Sequence, residues 1–204
     1  MKHLPHPAMA PVLAAMVFFL APAAPANDPG AAATPAQAEP DAGRAGMEQA
    51  RVLLAKAKRS EDDLRQAYDL MRAAADAGNP DAIGGLGYFH ALGLTVPQDA
   101  AQAARCYQSG AEKGSAKSML NLSRALRKGD GIAADVVAAN QWLERAAAAH
   151  QVDACLELGL ALFHGDAGLP KDHRRAIGYL GEAAGADIAD AEHALGFLLL
   201  NGVD

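Results

Sequence analysis

Aromatic residues, cysteines and basic residues are all scarce in this 204-residue sequence. Only 5% of the residues are aromatic, with a single tryptophan, and there are two cysteines. Strands favour β-branched and aromatic side chains, so this composition argues against a bulky β-sandwich core. The 18 lysine and arginine residues are outnumbered by 24 acidic residues, which gives a net charge of −6. Nucleic-acid-binding domains normally carry a basic patch, so that function is disfavoured too.

The sequence also lacks an apolar run long enough to span the roughly 30 Å core of a bilayer. The most apolar segment, Met9 to Leu20, follows Lys2 and precedes the small residues of Ala24-Pro25-Ala26. This order is typical of a secretory signal peptide, so we expect residues 1–26 to be cleaved near Ala26. The mature chain is then expected to be periplasmic or secreted, without a membrane span. An uncleaved N-terminal anchor is the alternative.

Two short segments separate the signal from the rest of the chain. Residues 27–45 show no periodicity and contain three helix-breaking prolines, Pro29, Pro35 and Pro40, so they predict a disordered linker rich in alanine and proline. Residues 46–59 carry apolar side chains at helical spacing and predict one helix that caps the N-terminal end of the remaining chain.

Alanine, the best helix former, is abundant, and beyond residue 60 it recurs in register. Four copies of one unit follow each other at spacings of 36, 36 and 37 residues. Each copy begins with an aspartate that is followed four residues later by an alanine: Asp63 and Ala67, Asp99 and Ala103, Asp135 and Ala139, Asp172 and Ala176. Apolar and small residues at the next two turns complete one face of a helix, here called the A helix. The aspartate is expected to be its N-cap.

A second helix, the B helix, follows each A helix after a short turn. The turn holds Gly78, Gly114, His150 or Asp187, and because glycine suits a left-handed turn, the last two are expected to be less relaxed. The buried face of the B helix contains Leu86, Leu122, Leu158 and Leu195. The residue after each leucine is small (Gly87, Ser123, Gly159 and Gly196), which predicts close passage of a neighbouring helix.

This pattern resembles the Sel-one-like repeat (SLR), a relative of the tetratricopeptide repeat. The third copy carries nearly all of the motif, in Ala139, Trp142, Leu143, Ala146, Ala147, Ala154, Leu158, Gly159, Gly165, Leu169 and Asp172. The tetratricopeptide unit has a period near 34 residues, so a 36-residue spacing favours the SLR. The resemblance implies an all-α fold: a right-handed α-α superhelical solenoid of about four helix-turn-helix repeats with an N-terminal capping helix. The predicted repeats are 61–98, 99–134, 135–171 and 172–204.

The resemblance also implies a function, that of a non-enzymatic scaffold or adaptor of the bacterial cell envelope. Such an array binds a protein or peptide partner on the concave face of its superhelix. The candidate contact residues lie on the solvent-facing side of the A helices: Gln66, Gln102, Arg105, Gln141, Arg145 and Arg175.

Two other functions remain open. In one, the protein is an assembly subunit that docks, or self-associates, through its last helix, where the apolar run Phe197 to Leu200 is expected to be partly exposed. In the other, it is an envelope hydrolase acting on cell-wall material, which would need a convergent set of titratable groups.

The remaining reactive side chains predict no catalytic, cofactor or metal site. Cys106 and Cys155 fall on non-adjacent helices, so free thiols are favoured over a disulfide. Four possible metal ligands cluster around one loop, but their spacing is looser than zinc sites normally show; they are His164, Asp166, Asp172 and His173.

Overall fold

The computed structural model describes residues 35–166 and 168–201. The predicted signal peptide, residues 1–26, lies outside the described residues, as does the first part of the predicted linker. Within the described ranges the chain forms nine α-helices: α1 (Pro35–Leu54), α2 (Glu61–Asp76), α3 (Pro80–Leu92), α4 (Ala100–Glu112), α5 (Ala116–Lys128), α6 (Val136–Ala148), α7 (Val152–His164), α8 (His173–Ala184) and α9 (Ala189–Asn201).

Consecutive helices pack against one another along the array. The predicted A helices are α2, α4, α6 and α8, and the predicted B helices are α3, α5, α7 and α9. Each of α3, α5 and α7 packs more extensively on the A helix after it than on the A helix before it, and α3 and α7 also touch the next B helix. The predicted all-α solenoid is confirmed. None of the described helices combines the length and the apolar character needed to cross a bilayer.

The N-terminal helix differs from the prediction at both ends. The sequence predicts it over 46–59, whereas α1 runs from Pro35 to Leu54. The prediction of a disordered linker over 27–45 is therefore wrong from Pro35 onward. Proline is favoured in the first turn of a helix, where its missing N–H breaks no hydrogen bond, so Pro35 can begin one. Pro40 removes only one donor, and α1 packs along α2 as the B helices pack along their A helices.

Three of the four predicted aspartate caps are confirmed. The carboxylates of Asp99, Asp135 and Asp172 each accept a hydrogen bond of 2.9 Å from the backbone N–H three residues later. Such a cap satisfies a helix-terminal donor that would otherwise have no partner.

Asp63 is not an N-cap, and that prediction is wrong. The cap of α2 is Ser60, whose hydroxyl accepts from the Asp63 N–H at 3.1 Å while the Asp63 carboxylate accepts from the Ser60 N–H at 3.0 Å. This reciprocal pair is a capping box, which moves the helix start three residues upstream. Lys56 also donates to Asp63 at 2.6 Å. These hydrogen bonds, that from Lys56 first, lower the pKa of Asp63 from 3.8 to about 2.

The core follows the repeat positions. The four repeat alanines, Ala67, Ala103, Ala139 and Ala176, are all buried. The four repeat leucines divide by place in the array: Leu122 and Leu158 in the middle are buried, whereas Leu86 and Leu195 in the outer repeats are half-buried. Leu195 lies on α9, the last described helix, which accounts for its exposure. Leu86 is half-buried although α4 packs on α3.

The turns between the A and B helices adopt the expected left-handed backbone. Their φ values are +85° at Gly78, +97° at Gly114, +58° at His150 and +59° at Asp187. Residues with a Cβ atom are strained in this region, so the last two turns store conformational energy that the glycine turns do not.

Candidate functional site

The predicted contact residues lie on one side of the A helices: Gln66, Gln102, Arg105, Gln141, Arg145 and Arg175. Trp142 lies beside Arg145 on the same side, and we call these seven residues the A-helix surface. All are exposed except Gln102 and Trp142, which are half-buried. Gln102 is held by Arg105, since its side-chain oxygen accepts from Nε at 3.1 Å and from Nη2 at 2.6 Å. The Arg105 guanidinium is thereby fixed at the surface of α4.

Trp142 is the residue of this surface that the sequence reasoning missed. The sequence identifies it only as a motif position, yet the Arg145 guanidinium lies 4.7 Å from the centre of its ring. A cation over an indole face is attracted by the ring quadrupole. The equivalent residues in the other repeats, Leu70, Cys106 and Tyr179, are also half-buried. That shared position marks a partly apolar row along the A helices, a signal that the repeat alignment already contains.

An ion pair joins two neighbouring A helices at this surface. Arg175 in α8 donates to the Glu144 carboxylate in α6 at 2.7 Å. The hydrogen bond to Glu144 raises the pKa of Arg175. Both side chains are substantially exposed, so the pair adds at most about 1 kcal/mol to stability. Its main effect is to hold the two side chains in a fixed relation.

Basic residues of the B helix α5 form hydrogen bonds to other helices, unlike Arg105 and Arg145 of the A-helix surface. Arg124 in α5 donates through Nε to Glu157 in α7 at 2.7 Å, and Arg127 donates to Asn140 in α6 at 3.0 Å. These contacts link successive repeats. In contrast, Arg105 and Arg145 contact residues of their own helix and present their charge outward.

The thiols are poor nucleophiles at neutral pH. Cys106 and Cys155 are both free, as expected, and Cys155 is buried while Cys106 is half-buried. Burial raises the pKa of Cys106 and raises that of Cys155 to about 11, with Glu182 adding to the second shift. The reactive form of cysteine is the thiolate, which a raised pKa makes rare.

Three of the four loop residues considered as metal ligands have other side-chain contacts. His164 and His173 pack on the Phe163 ring at centroid distances of 4.7 and 5.8 Å. Asp172 caps α8. Across the described part of the chain, no group of three histidine, cysteine or acidic side chains is placed to hold a metal ion.

A buried chain of hydroxyls is explained by helix capping. Ser115 is the N-cap of α5 and donates from Oγ to the Asp81 carboxylate in α3 at 2.6 Å, while Ser118 donates to Ser115 Oγ at 3.0 Å. The Ser115 hydroxyl is therefore engaged in joining α3 to α5.

The sequence matches the family model of the Sel1 repeat four times, over residues 57–79, 80–115, 116–150 and 152–187. Together these matches cover more than half of the chain. The first match contains α2 alone, whereas each of the other three pairs a B helix with the A helix that follows it, on which it packs most extensively. The predicted repeats instead begin at each A helix, so their boundaries differ from those of the last three matches by about one helix. No curated protein matches the sequence.

Three solved structures show the same architecture. A Sel1 repeat protein from Oxalobacter formigenes is 25% identical with a TM-score of 0.63, over 69% of this chain and 56% of its own. A protective antigen of uropathogenic Escherichia coli with an SLR fold is 28% identical with a TM-score of 0.66, over 82% and 36%. A Sel1 repeat protein from Klebsiella pneumoniae is 27% identical with a TM-score of 0.57, over 82% and 80%. The chain thus spans about half or less of the length of the first two.

Proposed function

This chain belongs to the Sel1 repeat family, and we propose that it is a non-enzymatic scaffold of the bacterial cell envelope that binds a protein or peptide segment on its A-helix surface. Proteins built from Sel1 repeats generally mediate protein–protein interactions. The observation that carries the proposal for this chain is the Trp142–Arg145 pair, flanked by Arg105 and Arg175 on neighbouring helices.

The composition of this surface suits a protein partner. Tryptophan and arginine are the side chains most often found at the energetic centre of interfaces, because both combine apolar area with directional polar contacts. Arg105 and Arg145 carry exposed positive charge within a chain of net charge −6. An acidic, extended segment fits this surface best, because its carboxylates can pair with the exposed arginines while an apolar side chain packs beside Trp142.

The array provides a fixed platform for such a segment. In a helical solenoid the concave side is lined mainly by one helix of each pair. In the proposal this is the A helix. The Arg175–Glu144 pair, which ties α8 to α6, helps keep the spacing of the lining helices. A preordered surface loses little conformational entropy when a partner binds.

The envelope location rests on the N-terminal sequence. The order of charged, apolar and small residues over 1–26 is that of an export signal.

The hydrolase alternative finds less support. It would need a nucleophile or a pair of acids with perturbed pKa values that converge on substrate. The described thiols have raised pKa values, and the Ser115 hydroxyl is engaged in capping.

Affinity capture from envelope extracts tests the binding proposal. The bait is the mature protein, and it is compared with Arg105→Glu/Arg145→Glu on the A-helix surface and Lys117→Glu/Lys128→Glu on α5. Both double variants change the charge equally, and all four side chains are exposed. A partner recovered by the wild type and the α5 variant, but not by the A-helix variant, supports the proposal. Equal recovery by all three baits, or no specific protein with any, refutes it.

A further inference from the structure

One face of each of the B helices α3, α5 and α7 is covered by the A helix that follows it, and in α3 and α7 a glycine at the same repeat position makes the closest contact. A Cβ atom built on Gly87 in α3 would lie 2.7 Å from the Tyr107 ring in α4, and one on Gly159 in α7 would lie 2.8 Å from Leu180 in α8. Each glycine is therefore a notch that holds one large side chain of the next helix.

Leucine flanks the notch on the same face. Leu162 in α7, three residues after Gly159, is 1% exposed, and Leu126 in α5 is 7% exposed. One residue further on, Arg127 reaches Asn140 in the following helix. The covered face thus consists of the repeat leucine, the small residue after it, and the residues three and four positions beyond that.

Helix α9 repeats this face, but no described helix follows it. A Cβ atom on Gly196 would meet no described atom within 4 Å. Leu199 occupies the position of Leu162 and is 64% exposed, and Leu200 is 88% exposed. Leu195 is half-buried, whereas its equivalent Leu158 is fully buried. We call Leu195, Gly196, Leu199 and Leu200 the α9 stripe.

We propose that the α9 stripe binds an amphipathic helix of a partner protein, which lies on α9 as α8 lies on α7. A helix presented to an apolar groove is a common mode of recognition, with anchor residues one turn apart. This inference goes beyond binding at the A-helix surface, since α9 is a B helix.

The chain itself specifies the chemistry of the partner helix. In α8 the anchor is Leu180, and the buried alanine Ala176 precedes it by one turn. Glu182, two residues after the anchor, lies 2.8 Å from the His150 imidazole in the turn before α7 and is close to Cys155 of α7. In α9 the position of Cys155 is occupied by Glu192, which is exposed. A carboxylate there favours a cation opposite. The expected motif therefore has an alanine, then a leucine or tyrosine four residues later, then a lysine or arginine two residues after that.

A second copy of the chain is a less suitable occupant. The helices able to supply such a motif are the A helices, and α2, α4, α6 and α8 each already lie on the preceding helix. A folded second copy therefore has no A helix left to place on α9.

A labelled peptide provides the test. It has the sequence of residues 172–187, which includes α8, with the substitution Glu182→Lys, and its binding to the full chain is followed by fluorescence anisotropy. We expect saturable binding that is weakened about tenfold or more by Leu199→Asp, the loss typical of a central apolar contact. Gly196→Phe, which fills the notch, should weaken binding similarly.

Two controls separate the stripe from other surfaces. Val137→Asp places the same charge at another apolar residue, 70% exposed, and should leave the affinity unchanged. The variant Arg105→Glu/Arg145→Glu should also bind the peptide with wild-type affinity. The test of the α9 stripe therefore does not depend on whether the A-helix surface binds a partner. Glu192→Lys should lower the affinity for the peptide that carries the Glu182→Lys substitution. It should raise the affinity for the peptide that retains Glu182, and each change should be about fivefold at most.

The result is decisive in either direction. Absence of saturable binding, or equal affinity for wild type and Leu199→Asp, overturns the proposal. Concentration-dependent dimers of the chain alone that Leu199→Asp abolishes would show instead that the stripe binds a second copy.

Discussion

The left-handed turns between the A and B helices offer a comparison in which backbone conformation is the main variable. Gly114 has φ of +97°, and a Cβ atom there would meet nothing within 4 Å among the described residues. Its repeat equivalent Asp187 holds φ of +59° with a full side chain. Replacing glycine by alanine at the first site, and aspartate by glycine at the second, should therefore change stability in opposite directions.

The magnitudes come from two opposing effects. A side chain in the left-handed region costs about 1–2 kcal/mol. Replacing glycine with alanine also restricts the unfolded chain, which returns about 0.4–1 kcal/mol to the folded state. Gly114→Ala should therefore lower the free energy of unfolding by about 1 kcal/mol. Asp187→Gly should raise it by about 0.5 kcal/mol, less because aspartate tolerates this conformation better than alanine.

Urea denaturation followed by circular dichroism at 222 nm measures both changes. The slope of the unfolding free energy against urea should stay constant, so that each shift in midpoint reports stability alone. His150→Gly is a less direct comparison, because the His150 imidazole lies 2.8 Å from the Glu182 carboxylate. A Gly114→Ala protein as stable as the wild type, or an Asp187→Gly protein that is less stable, would refute the reasoning.

Four further substitutions test the packing and the caps. Leu158→Ala should cost about 3 kcal/mol and Leu195→Ala about 1 kcal/mol in urea denaturation, since only the first empties a fully enclosed site; equal losses would mean that α9 is covered. Ser123→Ala should raise the free energy of unfolding by about 1 kcal/mol, because the buried Ser123 hydroxyl has no hydrogen-bond partner among the described residues. The melting temperature should therefore rise, and a lower melting temperature would contradict this. The lowered pKa of Asp63 means that its stabilising contribution is present above pH 4 and is lost as the pH falls toward 2. The stability difference between wild type and Asp63→Asn should therefore shrink over that interval in acid titrations, and a constant difference would exclude the capping box as its source.

The repeat positions could be predicted from sequence because the same physical requirement recurs at a fixed spacing. Buried alanines such as Ala139 and the caps at Asp99, Asp135 and Asp172 fall where the register places them. The prediction fails at Asp63, where the periodicity is intact but an upstream serine offers the helix an earlier start. Register alone does not reveal such a local competitor.

The N-terminal part of the first helix, before residue 46, escaped prediction for a different reason. Proline inside a helix normally breaks it, yet α1 runs from Pro35 and continues through Pro40. Ala50 of α1 is fully buried in a cluster with Met71 of α2. Packing of this kind is a tertiary effect that outweighs the loss of one backbone donor, and the local sequence does not contain it.

The candidate surface was predicted only in part. Helical periodicity was enough to place Arg105 and Arg145 on the exposed side of their helices. The stacking of Arg145 on Trp142, and the pairing of Arg175 with Glu144 of another repeat, depend on rotamers and on the spacing between helices. Neither can be derived from a one-dimensional pattern.

The A-helix surface is, in this account, the place where a partner binds. The most direct test is the dissociation constant of the captured partner for the wild type, for Trp142→Ala/Arg145→Ala, and for Lys117→Ala/Lys128→Ala on α5. We predict that the first variant binds about tenfold more weakly or worse, while the second stays within about twofold of the wild type. Unchanged affinity for the Trp142→Ala/Arg145→Ala variant, or an equal loss in both, would contradict the account.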